Sequence, residues 1–339
     1  MQFADRLIEA VRRVGNPILV GIDPRVEDLP EPYLERFPRD RAGVAEAIRH
    51  FGCGVIDAVK GVAPAVKFQA AFYEMYGPEG VATLHKTAHY ARENGLIVIM
   101  DGKRNDIGST AEAYARAYLG KVLVGDRLEA CWDADALTVN PYLGSDGIEP
   151  FIKVAEGENK GVFVLVRTSN ASAGEFQDLI ADGRPVYRHV AEHLARWAAG
   201  YKGEAGYSLV GAVVGATYPE QLAELREALP GVLFLVPGYG AQGGSAVDVA
   251  AAFDRDGLGA VINSSRGLTF AYKRPEFARF GADWQRAIHE AVHAMRDDLA
   301  INTASGRLGA DLKAGQSSSP RPLSRAGEDR ADLADGAGV

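Results

Sequence analysis

Short, almost continuously hydrophobic runs recur along this chain, separated by longer segments whose apolar residues fall three and four apart. The runs cover residues 18–22, 65–68, 96–100, 136–139, 161–166, 210–214, 232–236 and 260–262. Strands buried on both faces lose the apolar–polar alternation, so these read as parallel strands. Segments 42–60, 78–93, 185–199 and 219–228 read as intervening helices. Eight strands alternating with helices predict an α/β fold of the (β/α)8, or TIM-barrel, type, with a doubly wound sheet as the alternative that a strand count leaves open.

Almost every strand runs into polar or glycine-rich sequence, at 23–25, 67–69, 101–106, 140–142, 168–170, 237–244 and 263–267. Barrels of this type build active sites at the C-terminal ends of their strands, so these exits are where chemistry is expected. A last helix is predicted over 283–299. From residue 301 the composition turns to Ser, Gly, Arg, Asp and Pro, too poor in large apolar residues to offset chain entropy. The expected organisation is one barrel domain over 1–300 and a disordered tail over 301–339. The stretch 171–206 carries no clear pattern of its own.

Composition narrows the partners. The chain has 339 residues, 47% hydrophobic and 24% charged, with a net charge of -8. Nucleic acid and anionic membranes are held by clustered Lys and Arg, so neither is an expected partner. No apolar run is long enough to span a bilayer. Cys53 and Cys131 form no CxxC pair, and a reducing cytoplasm is the expected compartment. Residues 1–13 carry Asp5 and Glu9 among apolar residues and read as an amphipathic helix, not a targeting peptide.

Two familiar motifs fail on context. His289-Glu290-Ala-Val-His293 matches the HExxH zinc-protease pattern. However, Trp284, Ile288, Ala291, Val292, Met295 and Leu299 already make an apolar stripe on that helix, which a barrel places on its outer ring. The pairs His85/His89 and His189/His193 read as solvated helix faces. Gly238-Tyr-Gly240-Ala-Gln-Gly243 matches a dinucleotide fingerprint, but the next strand ends in Asn263 and not in the required acid. The run falls after the seventh strand, where barrels place a phosphate site. With Gln242 and the guanidinium fork of Arg266 after strand eight, it reads as a phosphate grip.

The densest chemistry follows the third strand. Asp101 and Lys103 are two apart and point the same way if the strand continues. Asp106 follows where the strand yields, and Lys67 ends the strand next door. Alternating charges at a barrel mouth keep the lysines protonated, because each carboxylate favours the charged form of its neighbour.

The set resembles the orotidine 5′-phosphate decarboxylase family, in its longer bacterial subgroup. The resemblance rests on D-x-K-x-x-D-I followed by a threonine (Asp101, Lys103, Asp106, Ile107, Thr110), with Asp23, Lys67, Thr168-Ser169-Asn170, the 237–242 loop and Arg266 in order around them. It implies decarboxylation of orotidine 5′-phosphate to UMP with no metal and no organic cofactor. It further implies Lys103 as proton donor to C6, Asp101 against the departing carboxylate and Lys67 between Asp101 and the ribose. Asp106, with Ile107 and Thr110, would come from the other subunit of a homodimer. Asp23 would hold a ribose hydroxyl, Thr168 or Ser169 the pyrimidine edge, and Gln242 and Arg266 the phosphate. Related sugar-phosphate enzymes share the D-x-K-x-x-D pattern but bind Mg²⁺ through an added acid. No Glu lies in 65–69, and Met100 precedes Asp101.

Overall fold

The computed structural model describes residues 1–30, 33–240 and 243–309. Eight strands close into one parallel barrel: β1 (Ile18–Ile22), β2 (Ala65–Gln69), β3 (Ile97–Arg104), β4 (Ala136–Val139), β5 (Gly161–Arg167), β6 (Val210–Val214), β7 (Phe234–Pro237) and β8 (Ala260–Ser264). β8 pairs with β1 through Ile18↔Ile262 and Leu19↔Asn263, which decides for closure over an open doubly wound sheet.

The outer ring includes α2 (Arg41–Val59), α3 (Gly77–Glu93), α4 (Gly108–Leu119), α5 (Ser145–Gly157), α6 (Val186–Ala198), α7 (Pro219–Ala228) and α8 (Trp284–Asn302), each packing a buried apolar face on its neighbours. Local sequence sets their ends. Asp40 caps α2 by accepting from Gly43 N–H at 2.7 Å, and Pro78 and Pro219 open α3 and α7. α1 (Phe3–Val14) closes the floor of the barrel. Its Phe3 meets Phe163 edge-on at 6.0 Å, and Leu7, Ile8 and Val11 join the apolar plug formed by Leu19, Ile97, Ile99 and Val261.

Four features depart from the sequence reading. β3 continues four residues beyond Met100, through an irregular stretch described below. A hairpin over Lys121–Val124 and Arg127–Ala130 pairs only with itself, so barrel periodicity gave no sign of it. In the 171–206 stretch, two short helical turns and a two-residue hairpin were not foreseen, whereas α6 falls on the helix expected over 185–199. The chain also keeps its structure past 301: Leu308 is buried in the floor cluster, and Ala304 and Ser305 pack on Gly257. One well-placed leucine anchors a segment whose average composition is polar. The rest of the expected tail, 310–339, lies outside the described residues. On α8, the HExxH histidines bond to each other (3.0 Å) and His289 Nδ1 to the Ala58 carbonyl (2.9 Å), with Ile288, Ala291, Val292, Met295 and Leu299 buried as expected. Among the described residues, no helix is long and apolar enough to cross a membrane.

Candidate active site

Side chains alternate between the inside and outside of a barrel, so each strand's inward column can be followed from floor to mouth. The columns change from apolar to polar as they rise: Leu19 to Asp23, Ala65 to Lys67 and Gln69, Ile99 to Asp101, Ala136 to Thr138, Val261 to Asn263 and Ser265. Above the plug they surround a cavity of about 590 Å³. Asp23, Lys67, Asp101, Lys103, Thr168, Ser169 and Arg266 all line it, as the sequence reading required.

Asp101 is its centre. Its Oδ1 accepts from Lys103 Nζ at 2.6 Å and from Thr138 Oγ1 at 2.8 Å. Its Oδ2 lies 3.0 Å from Lys67 Nζ and accepts from Gln69 Nε2 at 3.1 Å. A carboxylate has about four acceptor positions, so its capacity is filled from four directions. The Lys67 side chain is 3% exposed and that of Asp101 10%, whereas Lys103 is 44% exposed and opens onto the cavity. Asp23 Oδ1 stands 3.6 Å from Lys67 Nζ.

Electrostatics follow from this packing. Burial alone would raise the Asp101 carboxyl, but Lys67 and then Lys103 outweigh it and hold it well below the usual carboxylate range. Burial pulls Lys67 down, and Asp101 and Asp23 more than restore it, leaving it above the ordinary lysine value. Both stay ionised at neutral pH. Among the described residues, two buried acceptors at the mouth have no hydrogen-bond partner, Asn263 Oδ1 and Asp23 Oδ1, the latter only ion-paired with Lys67. Buried acceptors of that kind match a ligand that brings hydroxyl donors.

The alignment of Asp101 with Lys103 is not that of a regular strand. Met100 pairs with Leu137, but the next pair is Arg104 with Val139, so β3 carries two surplus residues. Lys103 takes φ 45°, in the left-handed region that side-chain-bearing residues rarely occupy.

After β5, Gln177 organises the rim. Its Oε1 accepts from Arg167 Nη1 (3.1 Å) and Thr168 N–H (2.9 Å), and its Nε2 donates to Thr168 Oγ1 (2.7 Å). Arg167 is fully buried, with its guanidinium 3.9 Å from the centre of the Tyr218 ring. The Thr168 hydroxyl also donates to Asn170 Oδ1. In the loop after β7, Gly238, Gly240 and Gly243 all have positive φ, and the amides of Gly240, Gly243 and Gly244 bond within the loop itself. That explains the glycines as turn formers. Gln242 lies outside the described residues.

Asp106, Ile107 and Thr110 are not brought into this cavity. Asp106 Oδ1 accepts from the Ile107 amide at 2.8 Å, Ile107 is 53% exposed, and Thr110 is exposed on α4. Thr138 and Gln177 were absent from the sequence reading, and Gln69 figured there only as a polar strand exit.

Comparison with known proteins places the chain. The sequence profile of the orotidine 5′-phosphate decarboxylase / HUMPS family matches residues 49–279. The chain belongs to this family. A protein of Rhodopirellula baltica named orotidine 5′-phosphate decarboxylase is 51% identical over 302 residues, spanning 88% of this chain and 99% of its own. One of the same name from Caldicellulosiruptor bescii is 43% identical, spanning 87% and 99%. The structure of Leishmania donovani OMP decarboxylase aligns with a TM-score of 0.67 at 31% identity, covering 89% of this chain and 98% of that one. Of the decarboxylase pattern read from sequence, the cavity gathers Asp23, Lys67, Asp101, Lys103, Thr168, Ser169 and Arg266 and leaves out Asp106, Ile107 and Thr110.

Proposed function

We propose that this chain carries out the decarboxylation of its family, converting orotidine 5′-phosphate to UMP and carbon dioxide in pyrimidine nucleotide synthesis, with Lys103 as the proton donor. The observation that carries the reading is the Lys67–Asp101–Lys103 cluster, aligned on one side of a cavity of nucleotide size.

The reaction breaks the bond between C6 and its carboxylate and leaves the electron pair on C6, where no neighbouring group delocalises it. Preorganised positive charge is suited to that problem, because it costs no rearrangement as the carbanion develops. The Lys103 ammonium neutralises the charge and then gives its Nζ proton to C6, and solvent reprotonates the amine. Asp101 lies against the departing carboxylate and keeps Lys103 aimed. Lys67 links Asp101 to the ribose, whose hydroxyls satisfy Asp23 Oδ1 and Asn263 Oδ1. Of the two candidates for the pyrimidine edge, Ser169 is favoured: the Thr168 hydroxyl is already engaged by Gln177 and Asn170. Arg266 takes the phosphate, with Gln242 as its expected companion. Binding energy from the phosphate is then available to exclude water around C6.

The site needs a second subunit in this reading. Asp106, Ile107 and Thr110 sit together at the end of β3 and the start of α4, outside their own cavity, as residues donated to a neighbour's site would. The working form is a homodimer in the cytoplasm. The test is loss of the ultraviolet absorbance of orotidine 5′-phosphate with the purified protein in EDTA. Turnover there, abolished by Lys103→Ala, supports the reading. Activity that needs Mg²⁺, or none on this substrate, would sink it in favour of the sugar-phosphate branch of the family.

A further inference from the structure

Thr138 lies in the inward column of β4, directly above Ala136, and is 1% exposed. It stands opposite the surplus residues of β3, between the pairs Met100↔Leu137 and Arg104↔Val139. Its hydroxyl does two things there. It accepts from the backbone N–H of Lys103 at 2.9 Å and donates to Asp101 Oδ1 at 2.8 Å. In a regular ladder a carbonyl of β4 would meet an amide of β3. Here a side chain replaces it, and the freed backbone turns through φ 45° at Lys103. Such a conformation persists only where the surroundings over-determine it. Gln69 also holds the Asp101 carboxylate, but it has no bond to Lys103. Among the described residues, Thr138 alone ties the lysine's backbone to the acid that aims its ammonium.

We propose that Thr138 is a positioning residue for the decarboxylation: its hydroxyl locks the left-handed turn at Lys103 and the Asp101 carboxylate into one geometry, so that the Lys103 ammonium meets C6. The inference rests on the reading of Lys103 as proton donor. Threonine suits the task because its branched Cβ restricts the side-chain torsion, and the hydroxyl keeps its direction. Valine preserves the shape without the hydroxyl, and serine preserves the hydroxyl without the branch.

The experiment compares Thr138→Val and Thr138→Ser in the full chain. The valine variant should lose about 10- to 100-fold in kcat, the size expected for a misplaced reacting group. Its KM for orotidine 5′-phosphate and its affinity for UMP should stay within about threefold, because the phosphate and ribose contacts are made elsewhere. Serine should restore kcat to within about threefold of the parent. If the valine variant does not fold, Thr138→Ala carries the same expectation. An unchanged kcat in the valine variant, or equal losses with valine and serine, would overturn the proposal. So would a crystal structure of Thr138→Val in which Lys103 keeps its left-handed φ and its contact with Asp101. That comparison is independent of turnover, so a parent protein inactive on orotidine 5′-phosphate would refute the assigned reaction without deciding the role of Thr138.

Discussion

Lys103 Nζ reaches Asp101 Oδ1 at 2.6 Å because the chain leaves regular strand geometry between the two residues. In a straight strand, positions two apart share a face but stand roughly 6.6 Å from each other along the strand axis. The two surplus residues of β3 and the left-handed φ at Lys103 bring the lysine back over the acid. The result is a compact set of two acids and two lysines, Asp23, Asp101, Lys67 and Lys103, with no net charge and one ammonium facing the cavity.

Lys67 is the buried half of that balance, and its removal should be costly. Lys67→Met leaves the 10% exposed Asp101 carboxylate with Lys103 as its cation among the described residues and removes the cation paired with Asp23. Breaking a buried ion pair from one side typically costs about 3–5 kcal/mol, because the remaining charge stays desolvated. Urea unfolding of Lys67→Met should show a loss in that range, and Lys67→Met/Asp101→Leu should recover part of it. A single-variant loss below about 1 kcal/mol would mean that water reaches the cluster and screens it.

The same shifts fix a pH dependence. Asp101 is held below its ordinary 3.8, so the stability it contributes is fully present above that value and is lost as pH falls through the lower folded value. Lys67 is raised above 10.5, so its contribution is present below 10.5 and is lost only as pH rises beyond it. Between these limits the pair contributes no slope. Below about pH 5, the stability advantage of the parent over Asp101→Asn should therefore shrink as the solution becomes more acidic. Guanidinium unfolding across that range measures it. An advantage that grows on acidification would reverse the assigned sign.

Ser169 is held in place by a glycine on the next strand exit. A Cβ on Gly215 would stand 2.8 Å from the N, Cα and Cβ of Ser169, where backbone must yield. Gly215→Ala should raise KM for orotidine 5′-phosphate by about tenfold and cost about 1–3 kcal/mol of stability, the usual penalty for overpacking. Steady-state kinetics with a melting curve separates the two effects. An unchanged KM would remove Ser169 from the substrate contacts.

The barrel was legible because parallel strands covered on both faces must be apolar throughout, and eight such runs stand out. Of the site, what was readable was what strand exits advertise: Asp23, Lys67, Asp101, Lys103, Thr168-Ser169 and Arg266 are polar breaks at the ends of apolar runs. Thr138 was hidden because it sits inside such a run, between Leu137 and Val139, where a lone hydroxyl does not interrupt the pattern. Counting by twos from Ala136 along the inward face would have found it. Gln177 had no comparable signal, since its place at the rim depends on Arg167 and on how the short turns after β5 fold back. The slip in β3 was also invisible, because it arises from the pairing of two strands and not from either alone.

The position of Asp106 gives the sharpest test of the subunit arrangement. It belongs to the same D-x-K-x-x-D run as Lys103, yet its carboxylate bonds to its own neighbour Ile107 and does not line the cavity that Lys103 faces. If it completes the site of a second copy, every site combines Lys103 of one subunit with Asp106 of the other. Lys103→Ala and Asp106→Ala should each abolish activity in pure form. Mixed and allowed to exchange subunits, they form hybrids in which one site lacks both residues and the other has both. In a twofold dimer at equal mixing, half the molecules are hybrids with one competent site, so about a quarter of the parent activity should return. Absence of recovery, with exchange verified by mass-tagged subunits, would confine Asp106 to its own chain and leave each site with the charges of one subunit.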